Sequence, residues 1–148
     1  MEWAPHVTVA AVVERDGQFL LVDELVNGQR VLNQPAGHLD EGETLIDAVI
    51  RETLEETAWH FEPTALVGIY RWRHPQDRHT FLRVTFCGAV SNHDSGRNLD
   101  DGIVTSVWMT PSQLARSPQR LRSPMVLRCI QDYLSGARHS LSILSDII

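Results

Sequence analysis

Glu52, Glu55 and Glu56 stand at i, i+3 and i+4, a spacing that gathers three carboxylates within roughly 100° of one helical turn. Like charges so placed destabilise an empty helix and push one another's pKa upward. A Mg²⁺ or Mn²⁺ ion relieves the conflict, because such ions take oxygen ligands and leave positions open for phosphate oxygens. The same stretch carries Ile46, Val49, Ile50 and Leu54, with Thr53 and Thr57 between, an apolar arc centred about 140° from the acids. The acids are therefore expected off the core, free to meet a ligand. Just ahead, Asn33 to Glu43 holds two glycines, a proline and three acids. Glycine lets backbone approach an ion or phosphate closely, and acids near a helix start complement its dipole. A glutamate pair alone would read as a solvated face; a third acid beside a glycine loop favours metal.

Other side chains could join this chemistry. Asp100 and Asp101 lie in a loop and could supply another carboxylate; Asp40 and Glu41 could reach an outer ion, and His38 a phosphate or metal. Arg71, Arg73 and Arg83 fall in strand-like segments, where arginine forks can clamp phosphates. Tyr70, Trp72 and Phe81 are aromatic candidates for stacking a base; core packing competes for each, and Trp72, between two arginines, is favoured. Arg51 could bridge Asp47 or Glu55 as an ordinary surface pair. The seven histidines show no ligand spacing, which argues against zinc.

These residues need elements to hold them. Val7 to Val13, a Glu14–Gly17 turn and Phe19 to Val22 read as a hairpin. Arg30 to Leu32 leads into the glycine loop, and the acid helix is expected from about Leu45 to Thr57. Strands are expected over Ala65–Trp72, Phe81–Val90 and Val104–Met109. Thr110-Pro111 reads as a capped helix start, and a further helix as Ser123 to Leu134, entered through Pro124 and left at Gly136. Strands mixed with helices and short turns give an α+β layered domain, one for the 148 residues.

Composition narrows the function classes. Net charge of −6 argues against a nucleic-acid polymer as partner. All thirteen basic residues are arginine. Cys87 and Cys129 are too few and too far apart for a disulfide framework and read as core thiols. No signal segment or membrane-length apolar run is legible, so a cytoplasmic protein is expected. The apolar tail from Leu141 to Ile148 is expected to cover the chain's own core rather than contact a second subunit; a monomer and a homodimer both remain open.

Gly37, Glu43, Arg51, Glu52, Glu55, Glu56 and Trp59 stand at the places of the Nudix box, G-x5-E-x7-R-E-U-x-E-E-x-G-U, with U a bulky apolar residue. The chain thus resembles the Nudix hydrolases. Thr53 and Ala58 depart from the pattern, at an apolar and a glycine position, and neither change removes a carboxylate. Pro5 to Ala10, Asn33 to Leu39, Phe81 to Arg83, Leu121 to Pro124 and Ser135-Gly136 extend the likeness to the NudJ-type bacterial phosphatases. The resemblance implies an α/β/α sandwich with a mixed β-sheet. It implies that Glu52, Glu55, Glu56 and the Gly37 carbonyl bind Mg²⁺, with Mn²⁺ as the alternative, and that Arg51 pairs with Glu43 to hold the loop. Gln34, in the matching segment, is then expected to hydrogen-bond a base or a phosphate. The implied activity is release of phosphate from nucleoside tri- and diphosphates and from hydroxymethylpyrimidine diphosphate. Cleavage of an internal P–O–P bond in an ADP-ribose-like or dinucleoside substrate is the first alternative, and a non-catalytic nucleotide sensor the second. The retained glutamates speak against the sensor.

Overall fold

The computed structural model describes residues 2–147. Strand β1 (His6–Val12) lies between a short antiparallel β5 (Ala36–His38) and a parallel β7 (Thr80–Ser91). The free edge of β7 is taken by β6 (His60–Arg73), its antiparallel hairpin partner, giving a mixed sheet in the order β5-β1-β7-β6. A second, antiparallel sheet is built on β3 (Gln18–Val26), flanked by β4 (Gln29–Asn33) and β8 (Ile103–Met109).

Strand alternation sends successive side chains to opposite faces, and a core forms on each. Val9, Ala11, Val84 and Phe86 pack with Ala48 and Val49 of helix α1 (Leu45–Thr57). Val12 and Cys87 point the other way, to Leu114 of α2 (Pro111–Ala115) and to Cys129 and Ile130 of α3 (Met125–Leu134). The result is the expected α+β fold, an α/β/α sandwich.

The long hairpin read from the β-branched run is not formed. Pairing across Asp16-Gly17 covers Glu14↔Phe19 and Arg15↔Gln18, where Glu14–Arg15 forms β2, and ends with the Leu20 N–H donating to the Val13 carbonyl at 3.0 Å. Beyond that rung β1 and β3 belong to different sheets. Asp16 and Gly17 have φ of 52° and 77°, as a tight two-residue turn requires. The turn was legible; the partners of the flanking strands were not.

Helix α1 starts at Thr44, whose hydroxyl accepts the Asp47 N–H at 3.0 Å, and ends at Ala58 with φ 63°. Its buried residues are Ala48, Val49, Glu52, Thr53, Glu56 and Thr57. At about 100° per residue, Glu56 sits near the middle of that face. The expectation that the acids lie away from the buried face is corrected for Glu52 and Glu56. Ile50 and Leu54 are only half-buried, as is Glu55, while the β4–β5 segment closes over Glu52 and Glu56, which still line the cleft described below. Leu141 and Leu144 of the tail pack on the α1-side core, and Leu66 and His139 exchange backbone hydrogen bonds of 2.8 Å. Ile148 lies outside the described residues. Cys87 and Cys129 are buried free thiols, and no described helix is long and apolar enough to cross a membrane.

Candidate active site

Arg51 organises the acids. Its Nε and one terminal nitrogen donate to both oxygens of Glu43, at 2.6 and 2.9 Å, the bidentate geometry that gives arginine–carboxylate pairs their strength. The other terminal nitrogen donates to Glu52 at 2.8 Å and to Glu55 at 3.2 Å. The His38 carbonyl accepts from Arg51 at 3.1 Å, and Asp40 lies 3.3 Å away. One guanidinium thus ties the glycine loop to the helix and fixes two of the three helical carboxylates.

Gly37 approaches Glu52 so closely that a Cβ there would overlap the carboxylate. Glu56 accepts the Ala36 N–H at 2.9 Å, so the chain on either side of the Ala36–Gly37 peptide rests on α1. Asp100, ahead of β8, completes the cluster: carboxylate oxygens of Glu52, Glu55 and Asp100 lie within 4.8 Å of one another. Its loop is held by the Asp100 N–H donating to the Glu55 carbonyl at 3.0 Å.

The electrostatics follow from burial. Glu56 is pushed up to about 9 by burial, against the pull of the Ala36 N–H. Burial also raises Glu52, with Arg51 opposing, and raises Glu55, with Asp100 adding to the effect. Arg51 holds Glu43 below the usual carboxylate range.

Beside the acids lies a cleft of about 320 Å³ whose lining includes Gly37, His38, Glu52, Glu56, Trp72, Phe81 and Arg83. Trp72 and Phe81, cross-strand partners, stack with centroids 5.8 Å apart and planes 22° from parallel. A more open groove of about 760 Å³ continues from it, sharing Trp72, Arg122 and Ser123.

Several expected residues stand elsewhere. Gln34 is 1% exposed; its amide donates to the Val126 carbonyl at 2.7 Å and its oxygen accepts from Arg83 at 2.9 Å. It lies beneath the cleft and supports Arg83, so the expected direct contact with substrate is corrected. Arg71 and Arg73 flank Trp72 and are exposed; strand alternation turns them to the face opposite the one Trp72 presents to the cleft. Tyr70 donates to Asp132 at 2.7 Å and packs on the α3-side core. Asp101 and Glu41 are exposed and outside the carboxylate cluster. Asn33, at the end of β4, is a residue the sequence does not point to: its side-chain oxygen accepts from Arg83 at 3.0 Å, and only the fold, which brings the two sheets together there, makes that pairing visible.

A family model described as NUDIX domain matches residues 4–128. Phosphatase NudJ of Escherichia coli K12 is 38% identical over 142 residues, covering 96% of this chain and 92% of its own. A solved NUDIX hydrolase from Nitrosomonas europaea superposes with a TM-score of 0.95 at 46% identity, over 97% of this chain and 98% of that one. The NUDIX domain of Shewanella oneidensis NrtR, complexed with ADP ribose, shares the fold with a TM-score of 0.71 at 20% identity, over 90% of this chain and 89% of that one.

Proposed function

The chain belongs to the NUDIX family and is a hydrolase of phosphoanhydride bonds, and from that premise we propose that it is a magnesium-dependent cytoplasmic phosphatase, a single catalytic domain that releases inorganic phosphate from nucleoside tri- and diphosphates. The observation that carries this reading is the oxygen-only cluster of Glu52, Glu55 and Asp100 beside the cleft, together with a relative named as a phosphatase.

The donor set fits a hard divalent ion, since it offers carboxylates and a backbone carbonyl and no sulfur or imidazole. Glu52, Glu55, Glu56 and the Gly37 carbonyl would hold it, with Asp100 contributing from its loop. When bound, such an ion neutralises phosphate oxygens and lowers the pKa of water. The rest belongs to the chain. Arg51 and Glu43 keep the helical carboxylates and the glycine loop in register, and a carboxylate of the cluster takes the proton of the attacking water. Trp72 and Phe81 offer a flat wall for a base. Positioning and charge neutralisation are what phosphoryl transfer chiefly requires.

ATP and GTP incubated with Mg²⁺ are expected to yield phosphate without added inorganic pyrophosphatase, and EDTA to abolish the signal. Phosphate appearing only after pyrophosphatase is added would overturn the reading. One observation favours a second reading, cleavage of an internal P–O–P bond: the groove beyond Trp72 has room for a second moiety. Mass analysis of the products of ADP-ribose separates the two.

A further inference from the structure

Arg83 is an anomaly in this molecule. It is 4% exposed and lines the cleft, yet among the described residues no carboxylate lies within ion-pair distance of it. Its terminal nitrogens donate to neutral oxygens, those of Gln34 at 2.9 Å and Asn33 at 3.0 Å. Its Nε is buried without any hydrogen-bond partner. Arg122, the other cation lining the cleft, pairs with Glu24 at 3.3 Å. A buried charge left uncompensated is strongly unfavourable, and native structures pair such groups with an opposite charge.

The amides that hold Arg83 are themselves fixed. Gln34 is anchored to the Val126 carbonyl at the start of α3, and Asn33 ends β4, directly before the Ala36–Gly37 segment. The fork is therefore rigid before any ligand arrives. In strand register Arg83 stands beside Thr8, which stands beside His38, so one row of the sheet runs from the glycine loop to the arginine. All three side chains line the cleft.

We propose that Arg83 is the anion seat of the cleft: its guanidinium, oriented by Asn33 and Gln34, receives oxygens of a substrate phosphate group and supplies a contact separate from the divalent ion. This rests on the phosphohydrolase reading and deepens it. The neutral cradle is the operative feature, because an acidic partner at either position would consume the charge that the phosphate needs. Inorganic phosphate, the product, binds the same seat and competes with substrate.

The test uses the full chain and inorganic phosphate as probe, by calorimetric titration in EDTA and again with Mg²⁺, with Mn²⁺ affinity measured separately. Wild type is expected to bind phosphate in EDTA. Arg83→Gln is expected to weaken phosphate at least about tenfold and leave Mn²⁺ affinity within about twofold. Asn33→Asp keeps the arginine and gives it an internal counter-charge; it is expected to weaken phosphate to the same extent while folding normally. A purely structural arginine would leave phosphate affinity unmoved in Asn33→Asp. Wild-type affinity in either folded variant, or no phosphate binding by wild type, overturns the seat. Phosphate bound through Arg83 without turnover of ATP or GTP would instead overturn the nucleotide-phosphatase reading and leave the seat standing.

Discussion

Glu56 is a carboxyl whose titration is set by burial. Its folded pKa of about 9 lies above the ordinary 4.5. Below 4.5 both folded and unfolded chains carry the proton, so burial is not penalised. Between those values the unfolded chain ionises and the folded one does not, so metal-free stability falls as pH rises, by up to ~1.4 kcal/mol per unit. Glu52 and Glu55, also raised, act with the same sign. Asp23, which accepts from Arg30 and Arg120, and Glu43, which accepts from Arg51, are held low by those arginines and act oppositely; their stabilisation is lost as pH falls through the carboxylate range. Thermal unfolding in EDTA is expected to give a higher Tm at pH 5 than at pH 8, and Glu56→Gln to flatten that slope while removing turnover by orders of magnitude. A wild-type Tm unchanged between the two pH values would contradict it.

Gly37 makes a sharper case at the same scale. Gly37→Ala places a methyl where the Glu52 carboxylate sits. The β5 pairing with β1 survives, since its hydrogen bonds are backbone ones. Displacement of a group in a reactive site by about 1 Å is worth on the order of a hundredfold in rate. Turnover of ATP with Mg²⁺ should fall by that order while Tm changes little; full activity would show that Glu52 tolerates displacement.

At the scale of elements, α1 was the most legible part of the chain. Its bounds and acid spacing came from local sequence, because helix signals lie within a few residues of one another. Its buried face did not, because that face is chosen by what packs on it. Thr53 illustrates the point. It is fully buried, and its hydroxyl donates to the Val49 carbonyl at 2.8 Å. That carbonyl also belongs to the helical ladder, so removing the hydroxyl leaves no acceptor stranded. Thr53→Val, which restores the apolar residue of the box, is expected to keep kcat and to shift stability by less than about 1 kcal/mol; a collapse of activity would give the hydroxyl a role. Strand partners were the least legible elements. The misassigned hairpin has a simple cause: period-two patterns tell which residues share a face, and not which neighbour lies across it. The same alternation separates Trp72 from Arg71 and Arg73, but which of the two faces meets the cleft is settled only by the fold. Gln34 fails for a related reason, since a polar residue next to a glycine loop reads as exposed until α3 is placed over it.

For the molecule as a whole, the central ladder joins residues far apart in sequence: His6 faces Phe81 and Val12 faces Cys87. Contacts of such separation require most of the chain before they can form, and folding dominated by them is slow, in the range of milliseconds to seconds for small domains. Refolding from denaturant should therefore be rate-limited by pairing of β1 with β7, and a disruptive Val84→Ala in that ladder should slow refolding more than it speeds unfolding. Stopped-flow kinetics would show this as a lowered refolding limb with the unfolding limb little moved; an unchanged refolding limb would contradict it.

On the ribosome the acid helix is synthesised well before the strand that closes its sheet. Until β7 has left the exit tunnel, the nascent segment has a glycine loop and a knot of glutamates but no floor beneath them. A half-made chain therefore has no formed cleft, and the cleft is complete only once β7 and, further along, the segment carrying Arg122, Ser123 and Met125 have emerged.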